Sequence, residues 1–306
     1  PTTLANFAKT ISKKNKMKCN IISEPGLKKQ GFGGISAVGQ GSKNKPKLIV
    51  LEHNRGQKND KPIVLVGKAV TFDTGGISLK PGSGMDEMKF DKCGGCTVLG
   101  IMKAVSELNL PINVVGIIPS VENMPGGESY RPGDIIKLFS GKTAEILNTD
   151  AEGRLILADA LSYGEKQYAP KAIIDFATLT GACIVALGTN VAAIVSNDER
   201  LTKKINDASK RTTEEVWELP LNQDYMDMIK SEVADMKNVG IGRAAGTITA
   251  AAFLKNAIEN TPWAHIDIAG VAWTQGATKE KSYNPKGATG FGVRLILDYL
   301  QNLQNQ

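Results

Sequence analysis

A chain of 306 residues that is 42% hydrophobic, 22% charged and 6% aromatic can bury a large core and has the composition of an ordinary soluble globule. No apolar run approaches the roughly 20 residues a membrane helix needs, and no charged stretch followed by an apolar one marks a secretory signal at the N-terminus. The formal charge of +6 sits on scattered lysines (Lys13, Lys14, Lys16, Lys28, Lys29, Lys203, Lys204) rather than on a basic block with interleaved aromatics, which disfavours a nucleic-acid partner.

In chain order, residues 3 to 17 read as a helix, with Leu4, Phe7, Ala8 and Ile11 at helical spacing and lysines elsewhere. A glycine-rich stretch runs from Gly31 to Gly41. "KLIVLEH" (47–53) and "PIVLVGKAVTFD" (62–73) are continuous apolar runs of the kind found in strands buried on both faces. Residues 94 to 108 read as a helix and "INVVGIIPS" (112–120) as another buried strand. "AEILN" (144–148) is a short strand, and "LILADALSYGEKQ" (155–167) is strongly helical. "AIIDFATLTGA" (172–182) and "VAAIVS" (191–196) are again strands. Strands alternating with helices predict an α/β layered fold with a mostly parallel or mixed sheet. In such sheets chemistry sits beyond the carboxyl ends of the strands.

Acidic residues fall at those ends. "GKAVTFDTGGISLKP" places Lys68 and Asp73 at the end of a buried strand and Lys80 in the loop that follows. Asp91 lies in "MKFDKCGG", just before a helix. In "NTDAEGRL", Asp150 and Glu152 are two apart, so an extended chain would point both to one side; Arg154 enters the next helix. Taken singly, each aspartate reads as a helix cap or turn residue, Lys80 as a solvated lysine, and Arg154 as half of a surface ion pair. Gathered into one site, four carboxylates would raise one another's pKa values unless compensated. Two dications would balance them if Lys68 were neutral, and a neutral amine tilts an oxygen-rich site from magnesium towards manganese or zinc.

Four cysteines (Cys19, Cys93, Cys96, Cys183) are too few and too unevenly spaced for a disulfide framework, so a reducing cytoplasm is expected. "CGGC" (93–96) lacks the second cysteine pair a zinc ribbon requires, and reads as two buried small residues at a helix start. His265, in the apolar "WAHIDIAG", reads as a satisfied core residue. A serine hydrolase is disfavoured by the lack of G-x-S-x-G, and a dinucleotide enzyme by the lack of G-x-G-x-x-G.

"NTDAEGRL" (148–155) resembles the signature of the cytosolic leucyl aminopeptidase family, peptidase family M17, at all eight positions. "VGKAVTFDTGGISLKP", "GMDEMKFD", "VENMPGGESYRPGD", "DFATLTGA" and "WAHIDIAG" extend the resemblance over nearly the whole chain. The resemblance implies a three-layer sandwich, with a mixed, mostly parallel central sheet flanked by helices. It implies a tightly held metal on Lys68, Asp73, Asp91 and Glu152, and a more exchangeable one on Asp73, Asp150 (side chain and carbonyl) and Glu152. The ions would be Mn2+ or Zn2+, with Mg2+ or Co2+ as further candidates. Lys80 and Arg154 would be the catalytic residues outside the metal shell, Arg154 holding a bicarbonate that acts as base. Met88, Asn148, Ala151, Thr178, Gly181, Ala269 and Ala272 would line the substrate pocket. The implied activity is release of an N-terminal leucine or other apolar residue from short peptides, by a trimer or by a hexamer of two stacked trimers.

The chain starts at Pro1 rather than Met, about where the family's catalytic domain starts, so residues 1–306 are expected to be that single domain without the family's N-terminal one. Cys93 and Cys96 depart from the family, which commonly has Met and Ala there. Some bacterial relatives bind DNA as accessory or regulatory factors, and a pI near 9.0 suits that alternative. The intact ligand positions favour the enzyme. The segment 124–134, rich in glycine and proline, is expected at an interface or a site wall.

Overall fold

A computed structural model describes residues 1–57, 59–240, 242, 244–274, 276 and 281–303. Its strands are β1 (Lys18–Ser23), β2 (Lys47–Asn54), β3 (Ile63–Gly67), β4 (Ala69–Asp73), β5 (Asn113–Asn123), β6 (Ile135–Lys137) and β7 (Thr143–Glu145). There follow β8 (Ala172–Ala177), β9 (Ala192–Ser196), β10 (Val216–Glu218), β11 (Met236–Lys237), β12 (Trp263–Asp267), β13 (Trp273–Thr274) and β14 (Gly287–Ala288). The helices are α1 (Thr2–Lys14), α2 (Glu24–Gln30), α3 (Gly33–Gly39), α4 (Cys93–Glu107) and α5 (Gly153–Tyr168). After them come α6 (Gly181–Leu187), α7 (Glu199–Thr212), α8 (Gln223–Asp227), α9 (Gly246–Lys255) and α10 (Val293–Asn302).

A nine-stranded sheet in the order β1-β2-β5-β3-β8-β12-β9-β10, with β4 also on β5, divides the molecule into layers. Its centre, β5-β3-β8-β12, is parallel; β1, β2 and β9 pair antiparallel with β2, β5 and β12 respectively. The unbroken apolar run of β3 now has its reason. Val64 and Val66 face a core built with Leu157, Leu161 and Phe253 of α5 and α9, while Ile63 and Leu65 face Val98, Ile101 and Leu295 of α4 and α10. Each such side chain, fully buried, contributes about 1.5–3 kcal/mol. The expected α/β sandwich of helices on both faces of a mixed, mostly parallel sheet is the observed architecture. Among the described residues no helix is long and apolar enough to cross a membrane.

Several elements differ from expectation. The run 62–73 is two strands: at Lys68 the N–H still donates to Phe176 O of β8 (3.0 Å), but the carbonyl leaves the ladder and accepts from Gly95 N (2.7 Å) at the start of α4. Helix α1 stops at Lys14, and its buried stripe is Ala5, Ala8 and Ile11, with Phe7 53% exposed. "AIIDFATLTGA" leaves the sheet at Ala177 and begins α6 at Gly181. The glycine-rich 31–41 holds a helix, α3, whose glycines permit close approach to α5. A Cβ on Gly34 would lie 2.4 Å from Leu155 O, and the neighbouring Ile35 N–H donates to the buried Asp159 carboxylate at 2.9 Å.

Candidate metal centre

The carboxyl ends of the parallel strands converge on one site. Lys68 follows β3, Asp73 ends β4, Asn123 ends β5 and Thr178 follows β8. A 3-10 turn over Met85–Phe90 delivers Asp91 to the mouth of α4, and Glu152 immediately precedes α5. Lys68, Asp73, Asp91 and Glu152 are 1–6% exposed.

Two lysines organise the carboxylates. Lys68 Nζ lies 2.9 Å from Asp91 Oδ1 and 2.8 Å from Glu152 Oε1, and donates to Thr178 O at 3.0 Å. Its stem occupies space that only glycine leaves open, since a Cβ on Gly153 would stand 2.8 Å from Nζ. Lys80 Nζ pairs with Asp73 Oδ2 at 2.9 Å and with Asp150 Oδ1. Asp150 and Glu152 therefore enter the site on different lysines, not side by side as an extended chain would place them. Glu152 has helical backbone angles and turns to Lys68, while Asp150, its N–H held by Asn148 Oδ1 at 2.8 Å, turns to Lys80.

Protein charges alone keep Lys68 a cation. Burial depresses its pKa, but Asp91, Glu152 and Asp73 outweigh that and raise it, so the neutrality expected of Lys68 needs a further positive charge. Lys80 is raised in the same way, by Asp73, Glu152 and Asp150 against burial. Burial pushes Asp91, Asp150 and Glu152 up. Arg154, buried and donating to Asn238 O at 2.7 Å, is brought down to about 10 by desolvation.

The donor set fits a dication. Asp73, Asp91 and Glu152 each offer an oxygen within 4.8 Å of the others, the one such cluster found among the described residues. Asp91 Oδ2 and Glu152 Oε2 are buried with no hydrogen-bond partner, a costly condition that a cation relieves.

Of the residues expected to bind substrate, Thr178 is hydrogen-bonded to this cluster, and Met88, Asn148 and Ala151 are near its members in sequence. Thr178 Oγ1 donates to Asp91 Oδ1 at 2.7 Å. Met88 is half-buried, three residues before Asp91. Asn148 and Ala151 bracket Asp150, and Gly181 opens α6 with free space where a Cβ would be. Ala269 borders a cavity of about 440 Å³ whose wall includes Glu87, Ile184, Asn190, Trp273 and Tyr283. Ala272, 2% exposed, packs into the core beside it.

Other expectations needed correction. Cys93 is buried but Cys96 is exposed. His265 is only half satisfied: Nδ1 meets Asp175 Oδ1 at 2.6 Å, whereas Nε2 is buried without a partner. The expectation for segment 124–134, an interface or a site wall, meets no contradiction: most of it is exposed, and Tyr130 turns inward, where its hydroxyl donates to Thr149 O at 2.7 Å. Sequence reasoning missed Asn123, whose Nδ2 donates to both Asp73 Oδ1 (2.8 Å) and Thr149 O (3.1 Å), and Asn238, which accepts from Arg154. A polar residue closing a buried strand, as Asn123 does, was the available signal.

The chain is similar in sequence to known proteins. The model of the cytosol aminopeptidase family, catalytic domain, matches residues 1–297. A probable cytosol aminopeptidase of Cenarchaeum symbiosum (strain A) is 74% identical over 301 residues, covering 98% of this chain and 62% of that protein. Those of Syntrophotalea carbinolica and Nitrosospira multiformis are 52% and 53% identical, over 98% of this chain and 60% and 56% of theirs. The chain thus spans 56–62% of the length of these curated relatives.

Proposed function

The chain belongs to the cytosol aminopeptidase family, and on that premise we propose that it is the catalytic part of a two-metal aminopeptidase. It releases the N-terminal residue, preferably leucine or another apolar residue, from short peptides in the cytoplasm. The observation that carries this reading is the buried Asp73–Asp91–Glu152 cluster, with two carboxylate oxygens left without a partner.

Lys68, Asp73, Asp91 and Glu152 would hold the tighter ion; Asp73, Asp150 and Glu152 would hold the exchangeable one. Manganese or zinc held by these residues would supply a water acidified towards neutral pH and a Lewis acid for the scissile carbonyl. The protein's own groups do the rest. Lys80, aimed into the site from its loop, donates to the oxygen on which negative charge develops, a type of interaction that often supplies the largest share of rate enhancement. Arg154 has a buried Nε without a partner, which suits it to hold a bicarbonate that takes the proton from the attacking water. Met88 offers a flexible thioether to the substrate's first side chain. Asp150, which would help hold the exchangeable ion, would mark where the substrate's free α-amine is received and so restrict cleavage to the amino end. Three or six copies assemble around a threefold axis.

Hydrolysis of a fluorogenic leucyl amide, before and after exhaustive chelation and on adding back manganese, cobalt or zinc, tests the reading. Activity is expected to vanish and return. Full activity with the site shown empty by metal analysis would overturn it.

A further inference from the structure

Thr149 lies between the residues assigned to the metals and belongs to none of the roles above, yet it is fully buried and all its polar atoms are engaged. Its N–H donates to Ser78 Oγ at 3.1 Å, and its Oγ1 accepts from Ser78 N at 2.8 Å, a reciprocal pair between segments 71 residues apart. Oγ1 also donates to Gly75 O at 2.6 Å. The Thr149 carbonyl accepts from Tyr130 Oη at 2.7 Å and from Asn123 Nδ2 at 3.1 Å, and the same Asn123 nitrogen holds Asp73 Oδ1.

Those bonds join two loops that each carry part of the site. One runs from Asp73 to Lys80, through Gly75 and Ser78. The other runs from Asn148 to Glu152. Gly76, at φ +70°, lets them touch: a Cβ there would stand 3.0 Å from Thr149 Oγ1. Ordinary loop hydrogen bonds are local. This set instead fixes one loop against the other, and Asp150 is the next residue in the chain.

We propose that Thr149 is a positioning residue that sets where Asp150 stands relative to Asp73. This rests on the two-metal reading above, and it goes further in assigning the latch to the exchangeable ion. The tighter ion takes nothing from Asp150. Its ligands Lys68, Asp91 and Glu152 are tied to one another by Lys68 and Thr178, and Asp73, which both ions share, is held by Asn123 Nδ2 and Gly75 N–H, bonds that do not involve the Thr149 hydroxyl. Loss of the latch should therefore weaken one binding step and spare the other.

The test is a calorimetric manganese titration of the full chain, with circular dichroism and thermal melting to check the fold. Thr149→Val keeps the shape and removes the hydroxyl; Thr149→Ser restores it. The wild type is expected to take up two ions in two steps. In Thr149→Val the weaker step should lose about 10–100-fold in affinity, as is usual when a residue orienting a ligand is removed, while the stronger step stays near wild type. Thr149→Ser should recover both. If Thr149→Val fails to fold, Ser78→Ala removes one bond of the pair and should weaken the same step alone. A folded variant that binds both ions as the wild type does, or weakens both equally, overturns the proposal. A wild type that binds fewer than two ions refutes the two-metal reading itself, and the latch with it.

Discussion

Lys80→Met separates the catalytic role proposed for Lys80 from its structural one, because it deletes the ammonium and keeps most of the stem. The structural loss follows from exposure. Breaking a fully buried pair costs about 3–5 kcal/mol, whereas an exposed pair is worth about 0–1 kcal/mol. Lys80 and Asp150 side chains are 21% and 34% exposed, but Asp73 is only 3% exposed, so about 2 kcal/mol is expected between these limits. With an unfolding entropy of about 2.1 cal/mol/K per residue, that is a fall of about 3 °C in Tm. The fall should be seen in chelator and should shrink in saturating manganese, where bound cations replace the lost charge beside Asp73 and Asp150. The catalytic loss should persist in manganese. Removing one donor to a developing oxyanion costs about 2.7–4 kcal/mol, or about 10²–10³ in kcat. Differential scanning fluorimetry with and without manganese, and kcat for leucyl amide at saturating metal, measure the two parts. A kcat close to wild type would refute the assigned role. A kcat that fell only as far as manganese binding fell would reassign Lys80 to site assembly.

Arg154→Ala should lower kcat less than Lys80→Met does, because free bicarbonate or bulk water replaces the held base; added bicarbonate should then restore part of the rate, and no response would contradict that role. Leucyl and methionyl substrates should outrun glycyl and aspartyl ones, with Met88→Ala changing the order; relative kcat/KM values that stay fixed across the panel would remove Met88 from the pocket. Sedimentation equilibrium at micromolar concentration should give a trimer or hexamer, and a fully active species at 32.7 kDa would refute the assembly. Glu165 accepts from the backbone N–H groups of Glu259 (2.8 Å), Asn260 (3.1 Å) and Thr261 (2.8 Å); burial pulls its pKa up, but these bonds outweigh it and hold the carboxyl below its ordinary value. Its stabilisation is therefore present above the unfolded pKa of about 4.3 and is lost as pH falls through the depressed folded value. Glu165→Gln should lower Tm at neutral pH and lose that effect in acid, as read by melts across the range.

Composition and period disclosed the sheet because β3, β5 and β8 are buried on both faces, and a strand in that position has to be apolar throughout. The candidate ligand positions were legible for a different reason: each alone reads as a cap or turn residue, and it was their grouping at strand ends, together with the resemblance carried by NTDAEGRL, that marked them. What stayed hidden depends on contacts between distant segments. Nothing local to Lys68 says that its carbonyl will seek Gly95, so the strand break there was invisible. Alternation also failed at Asp150 and Glu152, since two lysines from other segments decide which way each carboxylate turns. The helix in 31–41 was obscured by its own glycines, which are poor helix formers kept for the approach to Leu155 and Lys137.

The assembly of the site from separate strand ends bears on how the chain folds. Lys68 and Thr178, in direct contact, are 110 residues apart in sequence, and Asp91 and Thr178 are 87 apart. Pairings this remote close late and slow a domain's folding. A folding intermediate with β5 and β3 docked but β8 still loose would lack the Thr178 support for Lys68 and Asp91. A dication would then bind the finished fold far better than any species before it. Manganese should accordingly slow unfolding while leaving the refolding rate nearly unchanged, so that the metal acts as a lock on the native state and not as a template for reaching it.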